Sequence, residues 1–336
     1  MVSSSTARRL IRRIRIPLLG LAGALLALAV AGAIYQAVAT ERAERAYPPP
    51  GEMVDVGGHS LHINCAGQGG PTVVLDAGSG GFSAQWVRVQ REVSGTTRVC
   101  AYDRAGMGWS EMGPEPRDAK QISGELHALL NGADIEGPYV LVGHSFGGLY
   151  MRTYATRYPD EVAGVVLVDS SSPKQAGHQP VTRDSNEPQE QTFAVVPRLA
   201  RLGVSLLARL GVVRLLSELD PASPELPQQQ RAQIDALTPS TRQAVTTALE
   251  FLAPTQTRRL GSLGNKPLAV VSAGTQEPGW LELQDDLATL STNSTHRIVG
   301  GATHTSLLYD RSDSQATSAA IVEVVAAVRN GRPLAR

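Results

Sequence analysis

Hydrophobic and polar residues alternate along the chain in a way that predicts strands and helices in turn. Short apolar runs rich in β-branched residues predict strands over Met53–Val56, His59–Cys65, Thr72–Leu75, Thr97–Tyr102, Tyr139–Val142, Val162–Val168, Leu268–Ser272 and Arg297–Val299. The first two runs flank a Gly-Gly pair, which indicates a hairpin. Apolar residues recur at helical spacing over residues 121–130, 148–158, 280–290 and 316–328. Strands that alternate with helices predict a largely parallel sheet covered on both faces.

An uncharged run of 25 residues, Ile16 to Thr40, precedes these elements. It is long enough to cross a hydrocarbon core of about 30 Å. Five arginines lie before it and the charges after it cancel, so the positive-inside rule predicts a cytoplasmic N-terminus with the rest outside. A cleaved signal peptide is the alternative, because Ala37-Val38-Ala39 offers a small-residue cleavage site. The run exceeds the usual apolar region of a signal peptide, which favours an uncleaved anchor.

Charge and cysteine content narrow the classes of partner. The 336 residues carry 31 Lys+Arg and 31 Asp+Glu, so no excess charge indicates nucleic acid or an acidic partner. The two cysteines, Cys65 and Cys100, do not have the spacing of a metal site. A small-molecule substrate remains the expected partner, and the oligomeric state is left open.

The candidate chemistry centres on Gly143-His144-Ser145-Phe146-Gly147, which joins a predicted strand to a predicted helix. This is G-x-S-x-G at a strand-to-helix junction, the setting of a nucleophile elbow. The serine must sit in a strained turn that lifts its hydroxyl clear of the sheet, so small residues are needed two positions away. Ser145 is therefore the candidate nucleophile.

Four motifs in order carry a family resemblance: Leu-Asp-Ala-Gly-Ser-Gly-Gly, Tyr-Asp-Arg-Ala-Gly-Met-Gly-Trp-Ser, Gly-His-Ser-Phe-Gly-Gly and Val-Leu-Val-Asp. With these motifs, the chain from about Val54 to Val328 resembles the α/β-hydrolase fold family. Within that family it is similar to the serine-nucleophile branch, which contains esterases, lipases and proline-iminopeptidase-like enzymes. The resemblance implies a mostly parallel eight-stranded sheet with helices on both faces, a helical cap, and no metal or organic cofactor. One departure is Asp76-Ala77-Gly78, which stands where many relatives have His-Gly. It keeps a backbone donor possible but removes a familiar side-chain contact.

The region between Asp169 and Pro267 changes in composition. A polar loop is predicted from Ser170 to Glu190, and leucines recur at helical spacing from Val196 to Leu219, interleaved with arginines. Further helical patterns cover about 227–237 and 241–252. In the resembled family this position holds a cap over the active site. The leucine-rich part reads either as an ordinary amphipathic surface helix or as a lid that faces lipid or admits apolar substrates.

His304 is the candidate general base, since it follows the last predicted strand and comes after the serine, as the hydrolase triad requires. Asp169, at the end of a strand, is the predicted triad acid. Much of the family places the acid one strand later, where the loop offers Glu277 but no aspartate, so Glu277 is the alternative and Glu282 a further one. By resemblance the oxyanion donors are the backbone N–H groups of Phe146 and Ser79, with Gly80 as a second possibility for the latter.

Cys65 and Cys100 are expected to form a disulfide. In the resembled family the second strand lies beside the fourth, and these cysteines fall in those two strands. Export would provide an oxidising compartment. Two free buried thiols are the alternative.

The expected organisation has a basic tail (1–15), a transmembrane anchor (16–39), a linker (40–52), a hydrolase core (53–171 and 263–331) and a helical cap (172–262). The expected activity is that of a membrane-anchored serine hydrolase that cleaves an ester, or an amide, of a small or apolar substrate. An aminopeptidase of proline-iminopeptidase type, an acyltransferase and a non-catalytic surface binding module are the alternatives.

Overall fold

A twisted sheet of eight strands forms the centre of the molecule. The computed structural model describes residues 4–172, 201–219, 225–253 and 260–334, with side chains from residue 15. The strands are β1 (Glu52–Asp55), β2 (Ser60–Ala66), β3 (Val73–Asp76), β4 (Val99–Tyr102), β5 (Tyr139–His144), β6 (Val162–Val168), β7 (Leu268–Ala273) and β8 (Ser294–Val299). Their order is β1-β2-β4-β3-β5-β6-β7-β8, with the β1–β2 and β2–β4 pairs antiparallel and the other pairs parallel. The predicted mostly parallel eight-stranded sheet is confirmed.

The described part of the chain also forms ten named helices, some of which cover the two faces of the sheet. They are α1 (Ser4–Ala46), α2 (Val87–Val93), α3 (Ala119–Gly132), α4 (Phe146–Arg157), α5 (Val212–Leu219), α6 (Gln228–Leu237), α7 (Thr241–Leu252), α8 (Pro278–Ala288), α9 (Ser306–Tyr309) and α10 (Arg311–Asn330). Neighbouring residues of β6 belong to different core clusters, with Val165 packed on one face and Val166 on the other. Both are fully buried. This is why the parallel strands read as continuous apolar runs rather than as alternating ones.

The N-terminal helix α1 is longer than the predicted anchor. It continues through residues 40–46, which the sequence assigns to a linker, and ends at Ala46. Its part from Arg15 to Ala46 is long and apolar enough to cross a membrane by length and composition. A signal sequence has the same properties, so anchor and cleaved signal both remain predictions.

The helices between β6 and β7 form what we call the cap segment, the described residues 201–219 and 225–253. The single helix expected from Val196 to Leu219 is wrong for its described part. Residues 201–209 and α5 are two helices. They separate at Gly211, whose φ of 75° is left-handed and ends the first helix. Residues 196–200 and most of the predicted polar loop lie outside the described residues.

The last helix begins earlier than its apolar pattern indicates. The pattern predicts a start near Ala316, whereas α10 starts at Arg311. Asp310 is the reason, because its carboxylate accepts hydrogen bonds from the backbone N–H groups of Ser312 and Asp313. Because this N-terminal capping residue is polar, the apolar pattern of the helix does not include it.

Candidate active site

Ser145 sits in a tight turn between β5 and α4. Its φ of 52° and ψ of −123° lie in a region that non-glycine residues rarely adopt. Backbone atoms pack closely against both glycines of the turn. A Cβ at Gly143 would lie 2.4 Å from Gly148 Cα, and one at Gly147 would lie 2.4 Å from Asp76 O. The two glycines of the motif are therefore required by close backbone approach, as the sequence pattern indicates.

His304 pairs with Asp169. The Nδ1 atom of His304 lies 2.6 Å from Asp169 Oδ2. Asp169 directly follows β6 and is fully buried, whereas His304 lies after β8 and is about one-third exposed. The carboxylate thus holds Nδ1 of the imidazole ring, and part of the His304 side chain remains exposed to solvent.

Three further donors hold the Asp169 carboxylate. Its Oδ1 accepts from Trp280 Nε1 at 2.9 Å and from the backbone N–H of Ala273 at 3.2 Å, and its Oδ2 accepts from Gln276 Nε2. Burial raises the pKa of Asp169, but the hydrogen bonds from His304, Gln276 and Trp280 outweigh it and hold the pKa below its usual range. Asp169 is therefore an ionised hydrogen-bond acceptor at neutral pH.

The other carboxylates considered from sequence lie elsewhere. Glu277 and Glu282 are both exposed. Glu277 is the residue before α8, and its backbone oxygen accepts from Trp280 N. The loop that offers Glu277 instead supplies the Gln276 and Trp280 donors to Asp169. No sequence pattern in this loop indicates these donors.

His144, the residue before Ser145, holds the His304 loop against the serine turn. Its Nε2 donates to the backbone oxygen of His304 at 2.9 Å, and the two rings have centroids 4.4 Å apart. Burial and the nearby His304 lower the pKa of His144 to about 3, so its ring is neutral. Among the hydrogen bonds of the described residues, none joins the Ser145 hydroxyl to the His304 ring. Such contacts are often loose in the absence of substrate.

The loop after β3 runs beside the serine. A Cβ at Gly78 would lie 3.0 Å from Ser145 Cβ, so only glycine fits there without displacement. Within the described part of the chain, no hydrogen bond uses the backbone N–H of Ser79, Gly80 or Phe146. The oxygen of Gly80 accepts from Gln243 Nε2 of the cap segment at 2.8 Å. Amide donors from two loops thus remain available close to Ser145.

A buried charge network supports this loop. The Arg104 guanidinium donates to Asp76 Oδ1 at 2.6 Å and to the backbone oxygens of Ala77 and Gly78 at 2.7 and 2.8 Å. It also donates through two nitrogens, each at 3.0 Å, to the carboxylate of Glu250 in α7. All three charged side chains are at most 1% exposed. Asp76, which stands where many relatives have His-Gly, is thus paired with Arg104.

The sequence carries a signal for part of this network. Asp76 is the last residue of β3 and Arg104 lies two residues after β4, so both lie at the same carboxyl edge of the sheet. Because the two side chains are oppositely charged and lie at one edge of the sheet, their ion pair can be predicted from the sequence. The Glu250 contact has no such signal, because it depends on how the cap segment packs.

An apolar wall lies next to the serine. The ring of Phe146, the residue after Ser145, has its centroid 6.2 Å from that of Phe251 at the end of α7. Phe251 is 68% exposed. An exposed aromatic side chain of the cap segment therefore borders the site.

Cys65 and Cys100 face each other across β2 and β4 and are joined by a disulfide in the structure. Among the described residues, no group of three or more His, Cys, Asp or Glu side chains has an arrangement that could hold a metal ion.

Comparison with known proteins identifies the family. A family model described as alpha/beta hydrolase fold matches residues 71–309. Over 82% of this chain and 98% of the other, the fold is similar to that of a thermophilic esterase from Thermogutta terrifontis, with a TM-score of 0.59 and 21% identity. A crystal structure described as that of a putative lipase from Acinetobacter baumannii gives a TM-score of 0.61 at 18% identity, over 88% of this chain and 97% of that one.

Sequence relatives match over shorter stretches. A probable transporter, efuK, of Hormonema carpetanum is 33% identical over 128 residues, 36% of this chain and 18% of that protein. The chain spans half or less of the length of the first curated relatives it matches. The family match covers well over half of the 336 residues. The chain therefore belongs to the α/β-hydrolase fold family.

Proposed function

We propose that the protein is a serine hydrolase that cleaves ester bonds of small or apolar substrates through an acyl-serine intermediate. Ser145 is the nucleophile, His304 the general base and Asp169 the orienting carboxylate. The observation that carries the proposal is the 2.6 Å contact between His304 Nδ1 and Asp169 Oδ2, next to a serine in a strained strand-to-helix turn. These are the parts of a triad, recognised by geometry and role.

The contact with Asp169 determines which imidazole nitrogen reacts. A carboxylate only accepts, so Nδ1 carries the proton and Nε2 of neutral His304 is free to take one. In the first step Nε2 removes the Ser145 proton as Oγ attacks the substrate carbonyl carbon. The imidazolium that forms is stabilised by the ionised Asp169. It returns the proton to the alkoxy leaving group as the ester bond breaks, and an acyl-serine remains.

The second half repeats the same steps with water. His304 takes a proton from a water molecule, whose oxygen attacks the acyl carbon, and returns it to Ser145 Oγ as the carboxylic acid leaves. In both halves the negative charge on the carbonyl oxygen is met by the N–H groups of Phe146 and Ser79, or Gly80. Loss of one such donor typically costs about 3 kcal/mol of transition-state stabilisation. Phe146 also begins α4, so the positive end of that helix faces the oxyanion.

Support for an ester of apolar character comes from two sources. The exposed Phe251 ring beside Phe146 offers an apolar contact for a substrate group next to the nucleophile. The similar solved structures include proteins described as an esterase and a putative lipase. We further propose that α1 anchors the protein in a membrane, with a cytoplasmic N-terminus and the catalytic part outside. Secretion after cleavage near Ala39 is the alternative.

The test uses a fluorophosphonate probe and a panel of p-nitrophenyl esters and aminoacyl p-nitroanilides. Ser145→Ala should fold normally and lose both labelling and turnover. Retained labelling at another serine contradicts the assignment. Faster turnover of aminoacyl anilides than of esters favours the proline-iminopeptidase alternative, acyl transfer to added alcohols favours an acyltransferase, and an unlabelled intact protein favours a binding module.

A second pair of variants tests the acid. Asp169→Asn should lower kcat by up to about 10⁴-fold, because the imidazole loses its tautomer and orientation. Glu277→Gln is the matched control and should stay active, because its exposed side chain leaves the His304–Asp169 pair intact. The reverse result contradicts the role of Asp169.

A further inference from the structure

The second half of α1 packs on the cap segment along one stripe. The residues of α1 with reduced exposure from Arg15 on recur along one face of the helix: Ala29, Gly32, Gln36, Ala39, Thr40 and Ala43. A Cβ at Gly32 would lie 2.3 Å from the backbone oxygen of Leu210, so the two backbones nearly touch. Gln36 is buried, donates to Pro239 O at 2.9 Å and accepts from Arg214 Nε at 3.0 Å. The apolar helix is therefore fixed to the cap segment.

The exposed part of α1 that lies between the basic tail and the first contacts with the cap segment is too short to cross a bilayer. Every residue from Arg15 to Leu28 is exposed, and these 14 residues extend about 21 Å at 1.5 Å each. A hydrocarbon core of about 30 Å needs about 20 residues. A span that begins at Ile16 therefore ends near Tyr35, inside the part of α1 that contacts Leu210 and Gly211. If α1 crosses a membrane, the turn between the two leucine-rich helices lies at the membrane surface.

The same two helices expose a set of leucines. Six leucine side chains on either side of this turn are between 48% and 82% exposed: Leu202, Leu206, Leu207, Leu215, Leu216 and Leu219. We call them the leucine patch. An apolar patch of this kind on a soluble surface marks an interaction site. The patch is next to the point where α1 would leave the membrane.

Polar side chains of these helices contact protein groups. Arg214 is buried against Gln36 and Thr40, and Arg201 pairs with Glu115 of the hydrolase core. Glu218 accepts from the Tyr35 hydroxyl at 2.8 Å. Arg209 lines a groove with Glu41 and Glu44 of α1. These charges and polar groups are thus held near α1 and the core, and the leucines project outward.

We propose that the leucine patch lies in the surface of the same bilayer that α1 crosses, so that lipid acyl chains cover it. The proposal rests on the membrane anchoring put forward above. Amphipathic helices of this type bury their apolar face about 5–10 Å into the headgroup and acyl boundary. The cap segment is then held against the membrane, and apolar substrates reach the site from the lipid rather than from bulk water.

The test measures depth in the bilayer for the full-length protein. Single cysteines replace Leu25, Leu206, Leu216 or Ile298, the native cysteines stay oxidised, and each new thiol carries a bimane fluorophore. The protein is reconstituted into phosphatidylcholine vesicles with or without acyl-chain spin-labelled lipid. Ile298 on β8 is the matched control, since it is 51% exposed against 58% for Leu206 and 60% for Leu216. Leu25 of α1 reports the membrane span.

We expect the spin label to reduce fluorescence at least twofold at Leu25, Leu206 and Leu216 and to leave Ile298 unchanged. Quenching at Leu25 alone overturns the proposal and leaves the patch to a protein partner or a second copy. If fluorescence at Leu25 is not quenched, both this proposal and the proposed membrane anchoring by α1 are overturned. Fluorophosphonate labelling of the same vesicles tests the hydrolase assignment separately. A variant whose melting temperature falls is replaced by Leu219→Cys, at 82% exposure.

Discussion

The side chain of His144 donates a hydrogen bond to the backbone oxygen of His304, with Nε2 and O 2.9 Å apart. The residue before the proposed nucleophile thereby holds the loop that carries the proposed base. The contact spans 160 positions of sequence and joins the ends of β5 and β8. It positions His304 relative to Ser145 where no direct hydrogen bond between them forms in the described structure.

The first prediction follows from this contact. A net hydrogen bond contributes about 0.5–1.5 kcal/mol, so His144→Leu should lower kcat about two- to tenfold by loosening the His304 loop. His144→Gln retains an amide donor and should recover part of the loss. KM should change little, because the buried His144 side chain is not exposed to substrate. Steady-state kinetics on a p-nitrophenyl ester measure both. Equal kcat for the wild type and the leucine variant contradicts a positioning role.

His144 also predicts how stability depends on pH. Burial and His304 lower the pKa of His144 to about 3 in the folded protein, against about 6.5 for an unperturbed histidine. Between these values the unfolded chain binds a proton that the folded chain does not. The free energy of unfolding therefore falls as pH falls below 6.5, by up to about 1.4 kcal/mol per pH unit from this residue.

Urea denaturation at pH 7, 6 and 5 checks this. His144→Gln should show a shallower loss of stability with acidification than the wild type, whatever its stability at pH 7. Parallel curves for the two proteins contradict a neutral, buried His144.

The strands and the serine turn could be predicted from the sequence because both are local. Val162–Val168 reads as a buried strand from its own residues, and Gly143 is fixed by its close approach to Gly148 in the same motif. The break at Gly211 and the continuation of α1 to Ala46 could not be predicted in the same way. Glycine occurs inside helices too, and residues 40–46 are held by packing on the cap segment rather than by an apolar pattern.

The surroundings of Asp169 show the same limit. That an aspartate follows β6 is visible in the sequence, and so is a histidine after the last strand. Their 2.6 Å separation depends on the neighbouring positions of β6, β7 and β8 in the sheet. The Gln276 and Trp280 donors depend on the path of one loop. Which carboxylate contacts the imidazole depends on the tertiary structure. The sequence alone therefore could not exclude Glu277 as the triad acid.

The Arg104–Glu250 pair leads to a third prediction. Removal of one partner of a buried ion pair leaves an uncompensated charge and typically costs about 3–5 kcal/mol. Glu250→Ala leaves Arg104 paired with Asp76 but removes two of its charge-assisted hydrogen bonds, so it should lower the free energy of unfolding by at most about that amount. It should also reduce kcat, because Arg104 holds the backbone oxygens of Ala77 and Gly78 next to Ser145.

The matched control is the exposed pair of Arg297 and Glu323, whose atoms are 3.0 Å apart. Exposed pairs contribute about 0–1 kcal/mol, so Glu323→Ala should change stability little. Urea denaturation of both variants at pH 7 makes the comparison. Equal losses of stability would show that the buried network does not hold the cap segment on the core.

The final prediction concerns Cys65 and Cys100, register partners across β2 and β4 that close a loop with a sequence separation of 35. A disulfide destabilises the unfolded chain by restricting it, typically by about 2–4 kcal/mol. Dithiothreitol should therefore lower the urea midpoint of the wild type. A double variant with serine at both positions should be less stable and insensitive to the reductant. If alkylation of the unreduced, unfolded protein modifies two thiols by mass spectrometry, the bridge is absent from the protein and the predicted stabilisation is wrong.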